Sequence, residues 1–376
     1  MKELIEKARH IVIFTHMAPD GDAMGSSLAI YHYVMDRFAE GPLHCKTACA
    51  AGPAAPERQV HVIVPNAFPA FFNWMPGSAQ ILIYEKEAQR CDALIAEADL
   101  FICTDFNAPK RIGPMGEKML ANPCPKILID HHLGLDNGQW TMDNGQGLTE
   151  VHSQPEASSS CEIVYRLIAD DRFAEGPLHC KTADADRPEQ GLLDIDIATC
   201  IYTGLMTDTG NFSYNSTRAE LYDIIAALIR AGVKKDEIYN AVFNQYSTDR
   251  VRLTGYALYR KMRIYPEAHL ALITLSADEL ERYHYQQGDT EGLVNMPLQI
   301  ADVFYSVYMR EERPKPGTPK PRIRISFRSQ GDRPVNIWAS EVFHGGGHAN
   351  ASGGELFGTI DQAVALFEQT YKKYIK

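Results

Sequence analysis

The sequence has no long apolar segment, no closely spaced cysteine pair and no excess of positive charge. Because no run of about 18 apolar residues occurs, we expect no membrane-spanning helix and no membrane partner. The N-terminal segment MKELIEKARH is charged and amphipathic, without the apolar centre of a secretory signal. The eight cysteines are scattered without a CxxC pair, which is typical of reduced thiols in a core. These absences predict a cytoplasmic protein.

The net charge of −11 argues against a protein that coats long nucleic acid, but it leaves room for a local basic site. Basic residues are concentrated between positions 310 and 333. Within this region the segment RIRISFRS alternates like a strand, which places Arg324 and Arg328 on one face. A solvated loop explains these two arginines poorly. The pattern therefore indicates a small basic surface, with no continuous track for a long duplex or a long single strand.

Strand and helix patterns alternate through the first two hundred residues, as in an α/β fold. This alternation predicts a parallel sheet with helices on both faces. Gly232 is a plausible helix end. We therefore expect a first domain over 1–232, a connector helix over 233–262 and a smaller α/β domain over 263–376. The predicted strands are 10–15, 60–64, 98–103, 126–129, 268–274 and 322–328, and the predicted helices are 25–35, 158–169, 194–206 and 217–231.

The segment DRFAEGPLHCKTA occurs twice, at 36–48 and at 171–183, in unrelated surroundings. Each copy follows an amphipathic helix, and one unit repeated at a large interval is not the period of a solenoid. We interpret the copies as insertions in surface loops, where additional residues are tolerated. A shared binding role of the His-Cys pairs is the alternative, through His44 and Cys45 and through His179 and Cys180.

Titratable residues follow four of the apolar segments, at the point where each segment ends. In an open parallel sheet the carboxyl ends of the strands share one edge, where ligands bind. We therefore expect these side chains to meet in one crevice, although a single aspartate such as Asp20 could equally cap a turn. The residues concerned are His16, Asp20, Asp22, Asp105, Asp130, His131, His132 and Asp208.

Several ionised carboxylates cannot share a crevice unless positive charge compensates them. Two divalent cations about 3.5–4 Å apart would need roughly this number of ligands, with one carboxylate between them. Mixed nitrogen and oxygen donors favour Mn²⁺ over Mg²⁺, and Zn²⁺ and Fe²⁺ are alternatives. The serines of ASSSC, at 157–161, lack the setting of a nucleophilic serine and are better explained as a helix N-cap.

Five motifs in order carry a family resemblance. The segments THMAPDGDAMGSS, TDFN, IDHH and GLMTDTG resemble the four motifs of the DHH phosphoesterase superfamily. The segment FHGGGHANASGG resembles the glycine-rich signature of the DHH-associated C-terminal domain. The two-domain size is similar to that of the bifunctional nanoRNase and pAp phosphatase group. The chain departs from that group at His344, where a fourth glycine is frequent, and in its two repeated segments.

The resemblance implies a role for each residue of the strand-end cluster. His16 and Asp20 would hold one metal ion, and Asp105 would bridge it to a second ion. His132 would face the scissile phosphate, with Asp130 orienting the neighbouring histidines. The remaining ligands of the second ion would be Asp22, His131 and Asp208.

The resemblance also assigns substrate binding to the second domain. The matching residues bind the terminal phosphate or the base of a nucleotide in that family. Glycine backbone can approach a phosphate closely and expose amide donors to it. The residues concerned here are Arg328, Gly345, Gly346, Gly347 and His348.

The implied function is two-metal hydrolysis of short oligoribonucleotides, of about two to five nucleotides, to mononucleotides. The same group converts 3′-phosphoadenosine 5′-phosphate (pAp) to AMP and phosphate. The alternatives are a cyclic or linear dinucleotide phosphodiesterase and a nucleotide sensor without catalysis. Pyrophosphatase or exopolyphosphatase activity is disfavoured by the GGGH segment. Members of the family often dimerise, so a homodimer is compatible with the resemblance.

Overall fold

The structure is a computed structural model that describes residues 1–38, 58–140, 147–174, 193–314 and 320–375. The chain forms two compact units, Met1–Asn244 and Gln245–Lys376. The division falls inside the segment 233–262, which the sequence predicts as a connector. No helix among these described residues combines the length and the apolar character that crossing a membrane requires.

The first unit is built on a six-stranded sheet in which every neighbouring pair is parallel. Its order is β3-β2-β1-β4-β5-β6, so that β1 and β4 lie at the centre. The strands are β1 His10–Phe14, β2 Gln59–Val64, β3 Leu82–Ile83, β4 Leu100–Thr104, β5 Lys126–Asp130 and β6 Glu150–Ser153.

Helices cover both faces of this sheet, as the alternating pattern predicts. The helices are α1 Lys2–Lys7, α2 Gly21–Phe38, α3 Tyr84–Glu97, α4 Met115–Ala121, α5 Ser160–Ala174, α6 Ile195–Asp208, α7 Ala219–Arg230 and α8 Lys235–Phe243. Successive residues of β1 point to opposite faces. Ile11 and Ile13 therefore pack with α2, α5 and α6, whereas Val12 and Phe14 pack with α3 and α4. Each face has its own apolar core.

The second unit is a six-stranded mixed sheet of order β11-β12-β10-β9-β8-β7, in which only the β8–β9 pair is parallel. The strands are β7 Arg263–Tyr265, β8 Leu270–Leu275, β9 Tyr305–Glu312, β10 Arg322–Ser329, β11 Gly346–His348 and β12 Ala351–Phe357. The helices are α9 Thr248–Tyr256, α10 Ala277–Arg282, α11 Asn336–Phe343 and α12 Ile360–Tyr374.

One face of the second sheet is apolar and covered, and the other is largely polar at β10. The buried residues Ile323, Ile325 and Phe327 of β10 pack with residues of α11 and α12. The alternate residues of β10, which include Arg324 and Arg328, are half-buried on the opposite face. The strand alternation that the sequence predicts for RIRISFRS is therefore present.

The predicted connector helix is in fact two helices. Helix α8 ends at Phe243 and α9 begins at Thr248. The interruption has a local cause, because the Ser247 hydroxyl accepts a hydrogen bond from the Arg250 amide and caps a new helix. A π-helical turn, Ala257–Lys261, follows α9.

The repeated segment begins inside a helix in both of its copies. Helix α2 ends at Phe38 and α5 ends at Ala174, each within the first residues of a copy. The rest of each copy lies outside the described residues, including His44, Cys45, His179 and Cys180. Both interpretations of the repeat therefore stay predictions.

Candidate metal centre

The loop after β1 delivers the first titratable residues at the start of α2. One Asp20 oxygen, Oδ1, accepts hydrogen bonds from the amides of Asp22 (3.1 Å) and Ala23 (3.0 Å), and so caps this helix. The other oxygen, Oδ2, lies 3.8 Å from His16 Nε2. Asp20 therefore has the turn role that its sequence context suggests, while one oxygen faces His16.

Two histidines turn the same ring nitrogen towards the aspartates. His16 Nδ1 lies 2.9 Å from the Met17 carbonyl oxygen, and His131 Nδ1 lies 3.3 Å from the Ala157 carbonyl oxygen. A carbonyl can only accept, so each Nδ1 carries the proton. In the neutral ring Nε2 then has its lone pair available, and a backbone partner of this kind orients a metal-binding imidazole.

Asp105 lies between these two histidines. Its Oδ2 is 3.2 Å from His16 Nε2, and its Oδ1 is 3.6 Å from His131 Nε2. Asp105 therefore belongs to three groups of possible ligand atoms, one with His16 and Asp20, one with Asp22 and His131, and one with Asp130 and His132. Its backbone has a left-handed φ of 64°, which is uncommon for a residue other than glycine and often marks a functional position.

The second group is completed from α6. The Asp208 Oδ2 and Asp22 Oδ2 atoms lie 3.6 Å and 3.8 Å from His131 Nε2. Helix α6 ends at Asp208, so the carboxylate stands at its last residue. The structure thus brings together the six residues that the sequence analysis selects as metal ligands.

His132 and Asp130 form a pair beside Asp105. His132 Nδ1 lies 2.7 Å from Asp130 Oδ1, and the His132 amide donates to Asp130 Oδ2 at 3.0 Å. The Asp130 carboxylate is fully buried, whereas the His132 side chain is 14% exposed. Asp130 therefore fixes the ring of the more accessible of the two adjacent histidines.

The first turn of α5 supports the aspartates, a role that the local sequence does not predict. The backbone amides of Ser160 and Cys161 donate to the two oxygens of Asp22, at 2.6 Å and 2.9 Å. The Ser160 hydroxyl donates to Asp105 Oδ1 at 3.1 Å. A helix N-terminus stabilises a carboxylate in this way. The feature of the sequence that accompanies this role is the run of serines before an apolar helix.

The same serine run also caps α5, as the sequence predicts. The Glu162 amide donates to the Ser159 hydroxyl at 3.2 Å, and the Glu162 carboxylate accepts from the Ser158 amide at 2.7 Å. The arrangement differs from a capping box in that the carboxylate binds the amide one residue before the cap. It holds in place the turn whose amides contact Asp22.

Burial and mutual repulsion perturb the titration of these carboxylates. Burial and the neighbouring Asp105 carboxylate raise the pKa of Asp22 to about 7. Burial also raises the pKa of Asp208 well above its ordinary range, and it would raise that of Asp105. For Asp105, the hydrogen bond with His16 and the nearby histidine charges prevail and lower the pKa. The cluster therefore needs compensating positive charge.

Protons on the histidines supply part of this compensation in the metal-free protein. Burial would lower the pKa of His131, but the surrounding aspartates, with Asp208 the largest contributor, raise it to about 9. Burial and the nearby Arg111 guanidinium act to lower the pKa of His16, whereas contacts with Asp105 and Asp20 raise it overall. The same attraction would act on a divalent cation. The carboxylate and imidazole donors fit such an ion.

The predicted substrate-binding residues lie in the second unit. Arg328 is near the end of β10, where its Nη1 donates to the Phe327 carbonyl at 2.9 Å. Gly346, Gly347 and His348 form β11, so the expected glycine-rich turn is part of a β-hairpin with β12. A Cβ on Gly345 would lie 1.8 Å from the Gly353 carbonyl oxygen, which only glycine avoids.

His344 occupies the position at which the sequence departs from the glycine pattern. It ends α11 with a left-handed φ of 51°. Glycine adopts this conformation without steric cost, which explains why glycine suits the position. In this chain the histidine adopts the same backbone conformation.

A parallel sheet that gathers carboxylates and histidines at its carboxyl edge, around one shared aspartate, is suited to a metal-dependent hydrolase. A model of the DHH family, N-terminal domain, matches residues 10–205, more than half of the chain, and the protein belongs to this family. DHH phosphoesterases depend on divalent metal ions, in agreement with the donor set.

Three known proteins show what the whole chain is similar to. A Bacillus subtilis bifunctional oligoribonuclease and PAP phosphatase, NrnA, is 24% identical over 97% of this chain and 95% of its own. The B. subtilis cyclic-di-AMP phosphodiesterase GdpP is 22% identical over 100% of this chain but 49% of its own. A crystal structure of an exopolyphosphatase-related protein from Bacteroides fragilis is 42% identical, with a TM-score of 0.80 over 99% of this chain and 94% of its own.

Proposed function

We propose that the protein is a Mn²⁺-dependent phosphoesterase that hydrolyses short oligoribonucleotides to mononucleotides and pAp to AMP and phosphate. The DHH family and NrnA-type relatives that match almost the whole chain support a phosphoesterase that acts on nucleotides. The main support for the proposal is the position of Asp105, whose two oxygens face different histidines, His16 and His131. A shared carboxylate of this kind is what a pair of ions requires.

The proposed ligands divide into two sets. His16 and Asp20 would hold one ion, and Asp22, His131 and Asp208 the other, with Asp105 between them. Bound divalent ions would supply Lewis acidity for the activation of water and for the charge that develops on phosphorus. The α5 amides and the Ser160 hydroxyl keep Asp22 and Asp105 in position. The site therefore needs no protein nucleophile.

His132 is proposed to contact the phosphate. Its Nδ1 is committed to the buried Asp130 carboxylate at 2.7 Å, which fixes the plane of the ring. Its Nε2 is then the nitrogen that can donate to a phosphoryl oxygen in the protonated form. A preorganised hydrogen-bond donor stabilises the negative charge that develops on the phosphoryl oxygens, and the site needs little reorganisation during the reaction. We infer that Asp130 acts by positioning His132.

The second unit is proposed to bind the rest of the substrate. Arg328 offers a guanidinium, which suits a phosphate. The half-buried His348 adds a ring that can contact a base or a phosphate. Gly345, Gly346 and Gly347 offer a backbone without side chains. A recognition surface of so few residues is suited to short substrates and to no long duplex.

The test is parallel hydrolysis of a labelled RNA dinucleotide, a 24-nucleotide RNA and pAp, each with Mn²⁺ and with a chelator. We expect mononucleotides from the dinucleotide and phosphate from pAp, with little product from the long RNA. His131→Ala should reduce both dinucleotide cleavage and pAp hydrolysis at least about a hundredfold, because a proposed metal ligand is lost. A matched control is His284→Ala, since His284 is an exposed histidine of the second unit that contacts Asp249.

Failure of the wild type to cleave either short substrate would contradict the proposal. Retention of activity in His131→Ala, or its loss in His284→Ala, would contradict the assignment of the site. Arg328→Ala should raise KM more than it lowers kcat, because Arg328 is proposed to bind and not to react.

A dinucleotide phosphodiesterase is the second candidate function. It is favoured by the match of this whole chain to about half the length of the cyclic-di-AMP phosphodiesterase GdpP. Cyclic di-AMP and the linear dinucleotide pApA therefore belong in the same assay. Turnover of these two compounds without turnover of pAp would favour this candidate. Inorganic polyphosphate is the further substrate to include, given the description of the Bacteroides fragilis protein.

A further inference from the structure

Arg324 is a half-buried cation on the polar face of the second sheet. It lies on β10, opposite Arg310 of β9 and opposite Glu355 of β12. Its neighbours along β10, Ile323 and Ile325, are buried in the apolar core of the other face. The alternation of the strand therefore directs the Arg324 side chain to the polar face. The phosphate contact proposed for Arg328 does not account for a second arginine on this face.

The two carboxylates whose charges act on Arg324, Glu312 and Glu355, are already bonded to other arginines. Arg322 Nε donates to Glu355 Oε2 at 2.7 Å, and Arg310 Nη2 donates to Glu312 Oε1 at 2.7 Å. Within the described residues Arg324 makes no salt bridge of its own. Three guanidiniums thus share two carboxylates, and the patch keeps one uncompensated positive charge.

Burial and the adjacent Arg322 guanidinium lower the pKa of Arg324, although it stays a cation at neutral pH. A guanidinium that has lost part of its hydration without gaining a carboxylate is destabilised. An anionic ligand would relieve this cost through charge-assisted hydrogen bonds. The local balance of charge thus points to an anion as the missing partner.

We propose that Arg324 binds a second phosphate group of a single-stranded oligonucleotide, beyond the phosphate that Arg328 contacts. This inference rests on the proposed function, because it takes the substrate to be a short nucleic acid. Arg324 and Arg328 are four residues apart on one face of β10, which corresponds to about 13 Å. That separation exceeds the width of one phosphate group. The two arginines therefore contact different phosphates, and Arg324 contributes to the binding of longer substrates.

The experiment compares the binding of a dinucleotide and a pentanucleotide RNA to the full chain. Titrations contain a chelator, so that no turnover occurs, and cover several salt concentrations. Arg324→Gln should weaken binding of the pentanucleotide about tenfold more than binding of the dinucleotide, the usual value of a lost charged contact. The slope of log affinity against log salt for the pentanucleotide should decrease in magnitude by about 0.7.

Two further variants make the result specific. Arg313→Gln removes the same charge from an exposed arginine paired with Asp278, and it should change neither affinity by more than about twofold. Glu355→Gln makes the patch more positive and should increase pentanucleotide affinity. If Arg324→Gln does not fold, the pentanucleotide affinity of Glu355→Gln still tests the inference, because the two substitutions change the charge of the patch in opposite directions.

Equal weakening of both oligonucleotides by Arg324→Gln, or no weakening, would overturn the inference. The proposed function fails separately, since it depends on turnover with Mn²⁺ and this experiment does not. If the wild type cleaves no short RNA but Arg324→Gln selectively weakens pentanucleotide binding, the proposed function is refuted. The phosphate site at Arg324 is then retained.

Discussion

At the scale of single residues, Asp105 is the carboxylate on which both proposed ions depend. Its oxygens lie 3.2 Å from His16 Nε2 and 3.6 Å from His131 Nε2. Asp105→Asn removes the charge while keeping the shape, and we expect it to weaken both Mn²⁺ sites about tenfold or more. Isothermal titration of the metal-free protein with Mn²⁺ measures both sites.

Asp20→Asn is the matched comparison for this experiment. Asp20 belongs to the His16 group alone, and one of its oxygens is engaged in capping α2. The same change of charge there should weaken one site and leave the other near its wild-type affinity. If Asp105→Asn instead leaves one tight site, Asp105 is not shared.

Ser160 allows a test of the supporting contacts without removal of a ligand. Its hydroxyl donates to Asp105 Oδ1 at 3.1 Å in a fully buried environment. Ser160→Ala should weaken Mn²⁺ affinity about 10–100-fold, the usual effect of losing a hydrogen bond to a ligand. The measurement is the same titration, followed by kcat and KM at saturating Mn²⁺, where part of the activity should return.

Ser159→Ala controls for damage to the helix. The Ser159 hydroxyl accepts from the Glu162 amide and contacts none of the aspartates in the described residues. Its loss should cost about 0.5–2 kcal/mol of stability, as for other caps, with little change in Mn²⁺ affinity. Equal loss of affinity in the two variants would show that Ser160 acts only through the helix.

At the scale of elements, the glycine-rich hairpin contains two glycines that differ in how much space surrounds them. A Cβ on Gly345 would lie 1.8 Å from the Gly353 carbonyl oxygen, whereas a Cβ on Gly346 meets no atom within 4 Å. Gly345→Ala should therefore destabilise the protein by about 1–3 kcal/mol, the range of overpacked sites. Gly346→Ala should have a much smaller effect. Urea denaturation of both variants measures the difference, and equal stabilities would contradict this hairpin geometry.

The start of α5 predicts a dependence of stability on pH. Burial acts to raise the pKa of Glu162, but hydrogen bonds from Arg218 and the Ser158 amide and the charge of Arg166 lower it below its ordinary value of 4.5. The unfolded chain then binds the proton more readily than the native protein. The contribution of Glu162 is complete above pH 4.5 and is lost as the pH falls through the native pKa.

Glu162→Gln should remove that contribution. The difference in unfolding free energy between wild type and variant should be largest near neutral pH and should shrink below pH 4.5. Urea denaturation at several pH values between 7 and 3 measures it. A difference that grows towards acid pH would have the wrong sign and would contradict the role of the ionised carboxylate.

The elements that the sequence predicts are those with strong local signals. Strands β1, β4 and β5 are apolar and buried, and each ends at a motif, so the edge that gathers the aspartates could be predicted. Strand β6, with sequence EVHS, is polar and half-buried at the sheet edge and gave no such signal. The contacts of Ser160 with Asp105 join positions 55 residues apart, and no local pattern encodes that pairing.

At the scale of the whole molecule, the proposed ligands and the proposed recognition residues belong to different units with separate cores. All six proposed ligands lie within Met1–Asn244, whereas Arg324, Arg328 and the glycine-rich hairpin lie within Gln245–Lys376. A ligand that binds only the native state stabilises it, by about 2.7 kcal/mol at a hundredfold excess over the dissociation constant. The stabilisation by Mn²⁺ should therefore originate in the first unit.

Amide hydrogen exchange with and without Mn²⁺ localises this effect. We expect slower exchange in the loop after β1, at the end of β5 and in the first turn of α5, where the amides of Ser160 and Cys161 contact Asp22. Exchange in β10 and β12 should change much less. In His131→Ala the protection at the end of β5 and in the first turn of α5 should disappear, since the proposed second set of ligands loses its nitrogen, whereas protection of the loop that carries His16 should persist. Protection that Mn²⁺ confers only on the second unit would place the metal elsewhere, and the assignment of all six ligands would then be wrong.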